Sequence, residues 1–308
     1  MKQSSTYDKL QSHRGITPPA WISRLRQLCY PLLMLLPKAK VKYRLALLNH
    51  WDAEPDRPII FAANHSAFPD IPIALKAIGR HSYALLGKQN LAVEDQLFFW
   101  LNGVIWVDRK NRADMAASKQ GIEAYLLQGR SVLWFPEATW NLTDNLLMLP
   151  MRWGIIDVAR QADAQIIPMA LDYDREKMVC RVQFGKPLVD DALLDKPSAI
   201  RNLRDALATM RWDVMQNQPV LRRCEADLEK LRAEMLQVLA EYPPLDWAYE
   251  RSCIYKYPIE DAFMHLGRLA PCRENAFLFN KRLRGLSAME KKMTRVCERQ
   301  DHKPEWKG

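Results

Sequence analysis

The sequence predicts an α/β fold: a central mixed sheet flanked by helices, with an amphipathic helix before it and a helical extension after it. Three observations predict this. Short apolar runs between residues 59 and 184 alternate with helical stretches of about 10 to 17 residues, the pattern of a sheet covered by helices. Most of these segments border on Gly, Pro or Asn, which punctuate elements. Beyond Pro197 the runs give way to long, charged, amphipathic segments.

The elements follow in order. In residues 21–36, Trp21, Ile22, Leu25, Leu28 and Leu32 recur at helical spacing, with Arg24, Arg26 and Gln27 on the other side. Lys38, Lys40, Lys42 and Arg44 come next. An apolar stripe with an interfacial Trp and flanking cations suits a helix lying in lipid headgroups; a helix packed on protein has the same pattern. Lys38 to Leu47 alternates with strand period. Ile59 to Ala63 is a fully apolar strand, reached through the turn-forming DAEPDRP. Asp70 to Ile78 reads as a helix and Val104 to Val107, entered through Gly103, as a strand. Arg112 to Gln128 is helical and stops at Gly129. Ser131 to Phe135 is a strand stopped by Pro136, and Gly154 to Gln161 a helix. Ile166 to Leu171 and Met178 to Phe184 are strands; Pro168 marks the first of them as an edge strand or a bulge. Residues 198–217 and 220–241 read as two amphipathic helices. Three regions result: a basic N-terminal segment over 1–37, an α/β core over 38–195 and a helical extension over 196–308.

Composition narrows the function. The 308 residues are 48% hydrophobic and 26% charged, with 11 Gly and 19 Pro, which excludes a disordered, collagen-like or low-complexity chain. Six scattered cysteines without a CxxC pair read as reduced thiols, so neither a disulfide framework nor a metal site is expected. The net charge of +9 is concentrated at the ends: residues 1–50 hold nine Lys/Arg against one Asp, and residues 281–308 nine against four. Basic ends suit an anionic surface, and solvated tails have the same composition. The longest apolar run, Leu28 to Leu36, has nine residues with Pro31 inside it, against about 20 for a membrane-spanning helix. The first 20 residues are polar and carry no secretory signature. A cytoplasmic protein peripheral to the membrane is therefore expected.

Chemistry in an open α/β sheet collects at the carboxyl ends of strands. After strand 59–63 come Asn64, His65, Ser66 and, five residues beyond the His, Asp70. A histidine leaving a buried strand with a carboxylate close by fits a base and its orienter. Asp70 equally suits the N-cap of the helix that follows. After strand 104–107, Arg109, Lys110 and Arg112 form a cluster that can bind phosphate or remain a solvated turn. After strand 131–135, Pro136 holds Glu137 just past an apolar run, followed by Thr139 and Trp140.

In combination these segments resemble the four ordered blocks of the glycerolipid acyltransferase family, whose best-known members are the 1-acyl-glycerol-3-phosphate acyltransferases. NHSAFPD (64–70) is similar to the first block, GVIWVDR (103–109) to the second, FPEATWN (135–141) to the third and IIPMAL (166–171) to the fourth. Gly87-Lys88 and Arg152-Trp153-Gly154 resemble flanking signatures, and the resemblance covers about residues 40–190. It implies His65 as general base and Asp70 as its orienter, and Asn64, Pro136 and Pro168 as structural members of the blocks. It also implies Arg109, Lys88, Glu137, Thr139 and Trp140 around the acceptor. The implied reaction moves a fatty acyl group from acyl-CoA or acyl carrier protein, both substrates, to a lysophospholipid hydroxyl. No bound cofactor and no metal is implied, and the expected partner is an anionic membrane rather than nucleic acid. Three positions depart from the family's third block, FPEGTRS: Ala138 replaces Gly, and Trp140 and Asn141 replace Arg and Ser. Alanine is costly there if φ is positive, and an indole cannot match the guanidinium fork on phosphate. An acceptor without a phosphate, such as an aminolipid, a glycolipid or another metabolite, is the alternative; a non-catalytic basic membrane-binding protein is the more distant one.

Overall fold

A computed structural model describes residues 20–35, 41–66, 69–87, 93–109, 111–141, 147–149, 151–174 and 177–217, with positions 229, 233 and 236 isolated beyond them. The chain divides into two compact units, Met1–Leu245 and Asp246–Gly308. The second unit, and nearly all of the helix expected over 220–241, lie outside the described residues.

In chain order the elements are α1 (Ala20–Leu33), β1 (Arg44–Leu47), β2 (Ile59–Ala63), α2 (Asp70–Ile78), β3 (Ser82–Gly87), α3 (Val93–Asn102), β4 (Val104–Val107), α4 (Arg112–Leu127), β5 (Ser131–Trp134), α5 (Gly154–Gln161), β6 (Gln165–Asp174), β7 (Val179–Phe184), α6 (Asp191–Leu194) and α7 (Lys196–Gln216). The seven strands form one sheet in the order β1-β7-β6-β2-β5-β3-β4. Strands β2 through β6 pair in parallel, while β6 and β7 are antiparallel. The predicted mixed sheet flanked by helices is the observed one.

Strand β2 shows why the sheet is covered on both faces. Every one of its residues is buried. Ile59, Phe61 and Ala63 pack with Ile71, Ile73 and Leu75 of α2 and with Phe98 and Phe99 of α3. Ile60 and Ala62 face Ile122 and Leu126 of α4, Ile155 and Ile156 of α5 and Leu203 and Leu207 of α7. A strand buried on both faces reads as a continuous apolar run rather than an alternating one. The first helix of the C-terminal extension is thus part of the second layer.

Four local readings change. Of the expected strand over 38–47, residues 38–40 lie outside the described residues, and within 41–47 only Arg44–Leu47 is a strand, paired with Val179–Val182 of β7. Val41 and Tyr43 keep the alternation by packing on the core. Pro168 lies in an interior strand, opposite Ala62 of β2, so the edge alternative is wrong. The chain leaving β7 crosses beside it, Gly185 N–H donating to the Pro168 carbonyl at 2.8 Å, and rejoins β6 at Ile166 through Leu188. The donor-less Pro168 nitrogen falls in that break. Strand β3 and helix α3 had no counterpart in the sequence reading. Finally, α1 packs through a face other than its apolar stripe. Ser23, Tyr30 and Leu33 are buried; the Tyr30 hydroxyl donates to the Leu75 carbonyl at 2.5 Å. Arg26, expected on the polar face, instead donates to the carbonyls of Leu101 and Trp100 at the end of α3. Trp21, Leu25, Leu28 and Leu32 stand in solvent.

Candidate active site

The site is assembled at the carboxyl ends of four parallel strands, where a ligand can lie beyond the sheet. Asn64 continues β2 by one step with its side chain. Its amide nitrogen donates to the Leu171 carbonyl at 3.0 Å, and its oxygen accepts from Leu171 N–H at 2.7 Å. This pair extends the β2–β6 ladder, which otherwise ends at Ala63 opposite Met169.

His65 follows with its backbone held on both sides. Its N–H donates to Glu137 Oε1 at 2.8 Å, and its carbonyl accepts from Asn141 N–H at 2.6 Å. The third block is thereby laid directly against the first. The imidazole stacks on Phe135 at 4.3 Å between ring centres and meets Trp140 edge-on at 5.9 Å. Its Nδ1 lies 2.8 Å from Asp70 Oδ2. A carboxylate only accepts, so Nδ1 is the donor and Nε2 becomes the ring's basic nitrogen.

Asp70 is the first residue of α2 and is completely buried. Pro69 holds the N-cap position without a side-chain cap, so Asp70 is not the cap that its placement before an apolar helix allowed. Its Oδ2 takes a second donor, Ser66 N–H at 2.6 Å, and its Oδ1 accepts from the Tyr173 hydroxyl at 2.5 Å. Phe135 and Tyr173 belong to the site and were missed: one lies inside an expected strand, and the other ends a long strand with no spacing signal.

Glu137 turns inward. Its Oε2 accepts from Leu149 N–H at 2.7 Å while Oε1 holds His65, so both oxygens are engaged by backbone. Burial pushes its carboxyl up to about 8, against the pull of those two N–H donors. Pro136 offers its carbonyl to Arg152 N–H at 3.0 Å. Ala138 stands at φ 60°, in the left-handed region, so the costly case for alanine applies. The Ala138 carbonyl accepts from Arg109 Nη1. The Arg109 guanidinium reaches it over Gly87, where a Cβ would touch Nε at 3.4 Å. The ends of β3, β4 and β5 are therefore tied together by one arginine. Thr139 is buried, and its hydroxyl has no hydrogen-bond partner among the described residues. Lys88 lies outside the described residues. Of the expected cation cluster, Arg112 is exposed at the start of α4, where Asn111 caps the helix by accepting from Ala113 and Asp114 N–H.

Residues 45–172 match the acyltransferase family model. Among curated relatives, the chain is 30% identical over 119 residues to the 1-acyl-sn-glycerol-3-phosphate acyltransferase alpha of Ovis aries, covering 38% of this chain and 41% of that protein. It is 26% identical over 196 residues to the protein of that name from Mus musculus, covering 58% and 68%. The match to the first of these thus spans about two-fifths of that relative's length. Among solved structures, the 1-acyl-sn-glycerophosphate (LPA) acyltransferase PlsC from Thermotoga maritima aligns with a TM-score of 0.53 over 70% of this chain and 91% of that one, at 12% identity. That is a likeness of fold.

Proposed function

We propose that this chain, whose residues 45–172 match the acyltransferase family, is an O-acyltransferase with His65 as general base. The observation that carries the reading is the His65–Asp70 pair, 2.8 Å apart on a buried strand end. Asp70 fixes Nδ1–H, and Nε2 takes the proton of an acceptor hydroxyl as its oxygen attacks the thioester carbonyl of acyl-CoA or acyl carrier protein. The tetrahedral intermediate collapses with cleavage of the C–S bond. The thiolate leaves with the proton held on Nε2–H, giving an ester and a free thiol. No enzyme-bound acyl group is needed. The acceptor is a lysophospholipid such as 1-acyl-glycerol-3-phosphate, with Arg109 and Lys88 cationic partners for its phosphate.

The setting is an anionic membrane surface, with the protein peripheral to it. Among the described residues no helix is long and apolar enough to cross a membrane. The exposed stripe of α1, with Leu28 at 79% and Trp21 at 64% exposure, and Trp100 of α3 at 58% support contact with headgroups and acyl chains. The basic residues 1–50 supply attraction to anionic lipid.

Trp140 favours a second reading, an acceptor without phosphate. Its indole stands edge-on to His65 and offers one N–H and no charge. An assay of labelled palmitoyl-CoA and palmitoyl-acyl carrier protein with lyso-acceptors bearing and lacking phosphate separates the two. Product from lysophosphatidic acid that vanishes in His65→Ala is the expected result. Product only from uncharged acceptors selects the second reading, and full activity in His65→Ala overturns the mechanism.

A further inference from the structure

We propose that Tyr173 is a positioning residue for the His65–Asp70 pair: its hydroxyl clamps the far oxygen of Asp70 and thereby aims the other oxygen at the imidazole. The role deepens the proposed acyl transfer and rests on His65 acting as its base.

Both oxygens of Asp70 are engaged by donors among the described residues. Oδ2 receives His65 Nδ1 at 2.8 Å and Ser66 N–H at 2.6 Å, while the Tyr173 hydroxyl approaches Oδ1 at 2.5 Å. The carboxylate is completely buried, so a bond lost at Oδ1 is not readily replaced by bulk water. Rotation of the carboxylate would sacrifice the Tyr173 bond together with those at Oδ2. The hydroxyl is a dependable donor, since desolvation and the nearby Asp70 charge hold the phenol well above its ordinary value.

The fold delivers this hydroxyl through the residue before the base. Asn64 takes both backbone groups of Leu171, and Tyr173 lies two residues farther along β6, on the same face of the strand. One side chain thus fixes the step between the strand that carries His65 and the strand that carries Tyr173. The phenol ring is itself held: Tyr43 meets it edge-on at 4.9 Å, and its β7 partner in the antiparallel pair is Cys180, a buried thiol.

The test uses the full chain with 15N-labelled histidine. The downfield Nδ1–H resonance of His65, assigned by its loss in His65→Ala, is expected to broaden by exchange or disappear in Tyr173→Phe. That substitution keeps the ring and removes one oxygen. Replacing Tyr173 with 3-fluorotyrosine keeps the hydroxyl and strengthens it as a donor; drawing charge from Asp70, it moves the resonance upfield and covers the case of a poorly folding Phe variant. In turnover, Tyr173→Phe lowers kcat about tenfold, as loss of one hydrogen bond to a charged group would, with both KM values nearly unchanged. In an Asp70→Asn background the same change adds no further loss. A resonance unchanged in both Tyr173 variants, or losses that multiply in the double variant, overturns the proposal. If no chain, wild type included, transfers an acyl group, the acyl-transfer reading fails, while the resonance still decides whether Tyr173 holds the pair.

Discussion

At φ 60°, Ala138 occupies backbone space that L-residues enter at a cost of roughly 1–2 kcal/mol. The turn is retained because its carbonyl is gripped by Arg109 and its neighbours Glu137 and Asn141 are bonded to the His65 backbone. Ala138→Gly removes the strain and gives back about 0.4–1 kcal/mol in unfolded-chain entropy. The expected result is a net gain of about 0.5–1 kcal/mol, a rise in Tm of roughly 2 °C for a chain of this size. Ala138→Val, β-branched at the same φ, lowers Tm. Equal Tm values for the wild type and the Gly variant would show that the turn stores no strain. Residue by residue, the site was legible where chemistry and spacing coincide: a His, an Asp five residues on, an Arg at a strand end, a Pro-Glu pair. It was not legible where a residue acts through tertiary contact. Tyr173 reaches Asp70 across 103 positions, and neither local pattern nor composition distinguishes it from any other strand-end tyrosine. The destination of Glu137 was hidden for a similar reason, because a carboxylate that binds backbone amides looks in sequence like one that binds a substrate.

Among the elements, α1 has two working faces. Tyr30, Ser23 and Arg26 tie one to the domain by hydrogen bonds to Leu75, Tyr83 and the end of α3; the other presents Trp21, Leu25, Leu28 and Leu32 outward. A single stripe of apolar residues therefore did not reveal which face packs, since the anchoring face uses polar groups with long reach. Leu28→Glu separates the two roles. The side chain is exposed, so stability is expected to stay within about 0.5 kcal/mol. On the proposed membrane contact, losing this leucine is expected to weaken binding to anionic vesicles about tenfold or more. Cosedimentation with vesicles and a thermal melt together check this; unchanged vesicle binding would remove α1 from the interface. The same logic explains the elements that were and were not foreseen. Helix α2, from Asp70 to Ile78, and helix α5, from Gly154 to Gln161, have the predicted bounds; Pro69 and Gly79 flank the first, and Gly154 opens the second. Within residues 41–47, strand β1 covers only Arg44–Leu47, which pair with four residues of β7. Strand β3 lacks β-branched residues altogether, which is why it passed unnoticed between Gly79 and Gly87.

At the scale of the whole fold, two buried groups among the described residues, His81 and Glu137, set opposing responses of stability to pH. His81 donates through Nε2 to the Asn102 carbonyl at 2.6 Å, under the edge of Tyr83. Burial chiefly, then the charges of Arg26, Arg130 and Arg80, push it down to about 4 from an ordinary 6.5, against the Asn102 bond. Between those values the unfolded chain holds a proton that the folded chain lacks, so stability rises with pH by up to about 1.4 kcal/mol per unit. Glu137 does the reverse. Its folded value of about 8 exceeds the ordinary 4.5; the folded chain keeps a proton that the unfolded chain has released, and stability falls as pH rises through that window. From about pH 4.5 to 6.5 the two slopes cancel, and from 6.5 to 8 the Glu137 decline stands alone among the described residues. The carboxyls of Asp157, Asp174, Asp190 and Asp195 are held low and act below this range. Urea unfolding from pH 4 to 9 is therefore expected to show a plateau near pH 4.5–6.5 and a fall toward 8. In Glu137→Gln the fall disappears and stability climbs to about pH 6.5 before levelling. In His81→Gln, whose amide can still donate to Asn102, the fall begins near pH 4.5. A Glu137→Gln protein that still loses stability between pH 6.5 and 8 would assign that decline to other groups and leave the buried carboxyl charged across the neutral range.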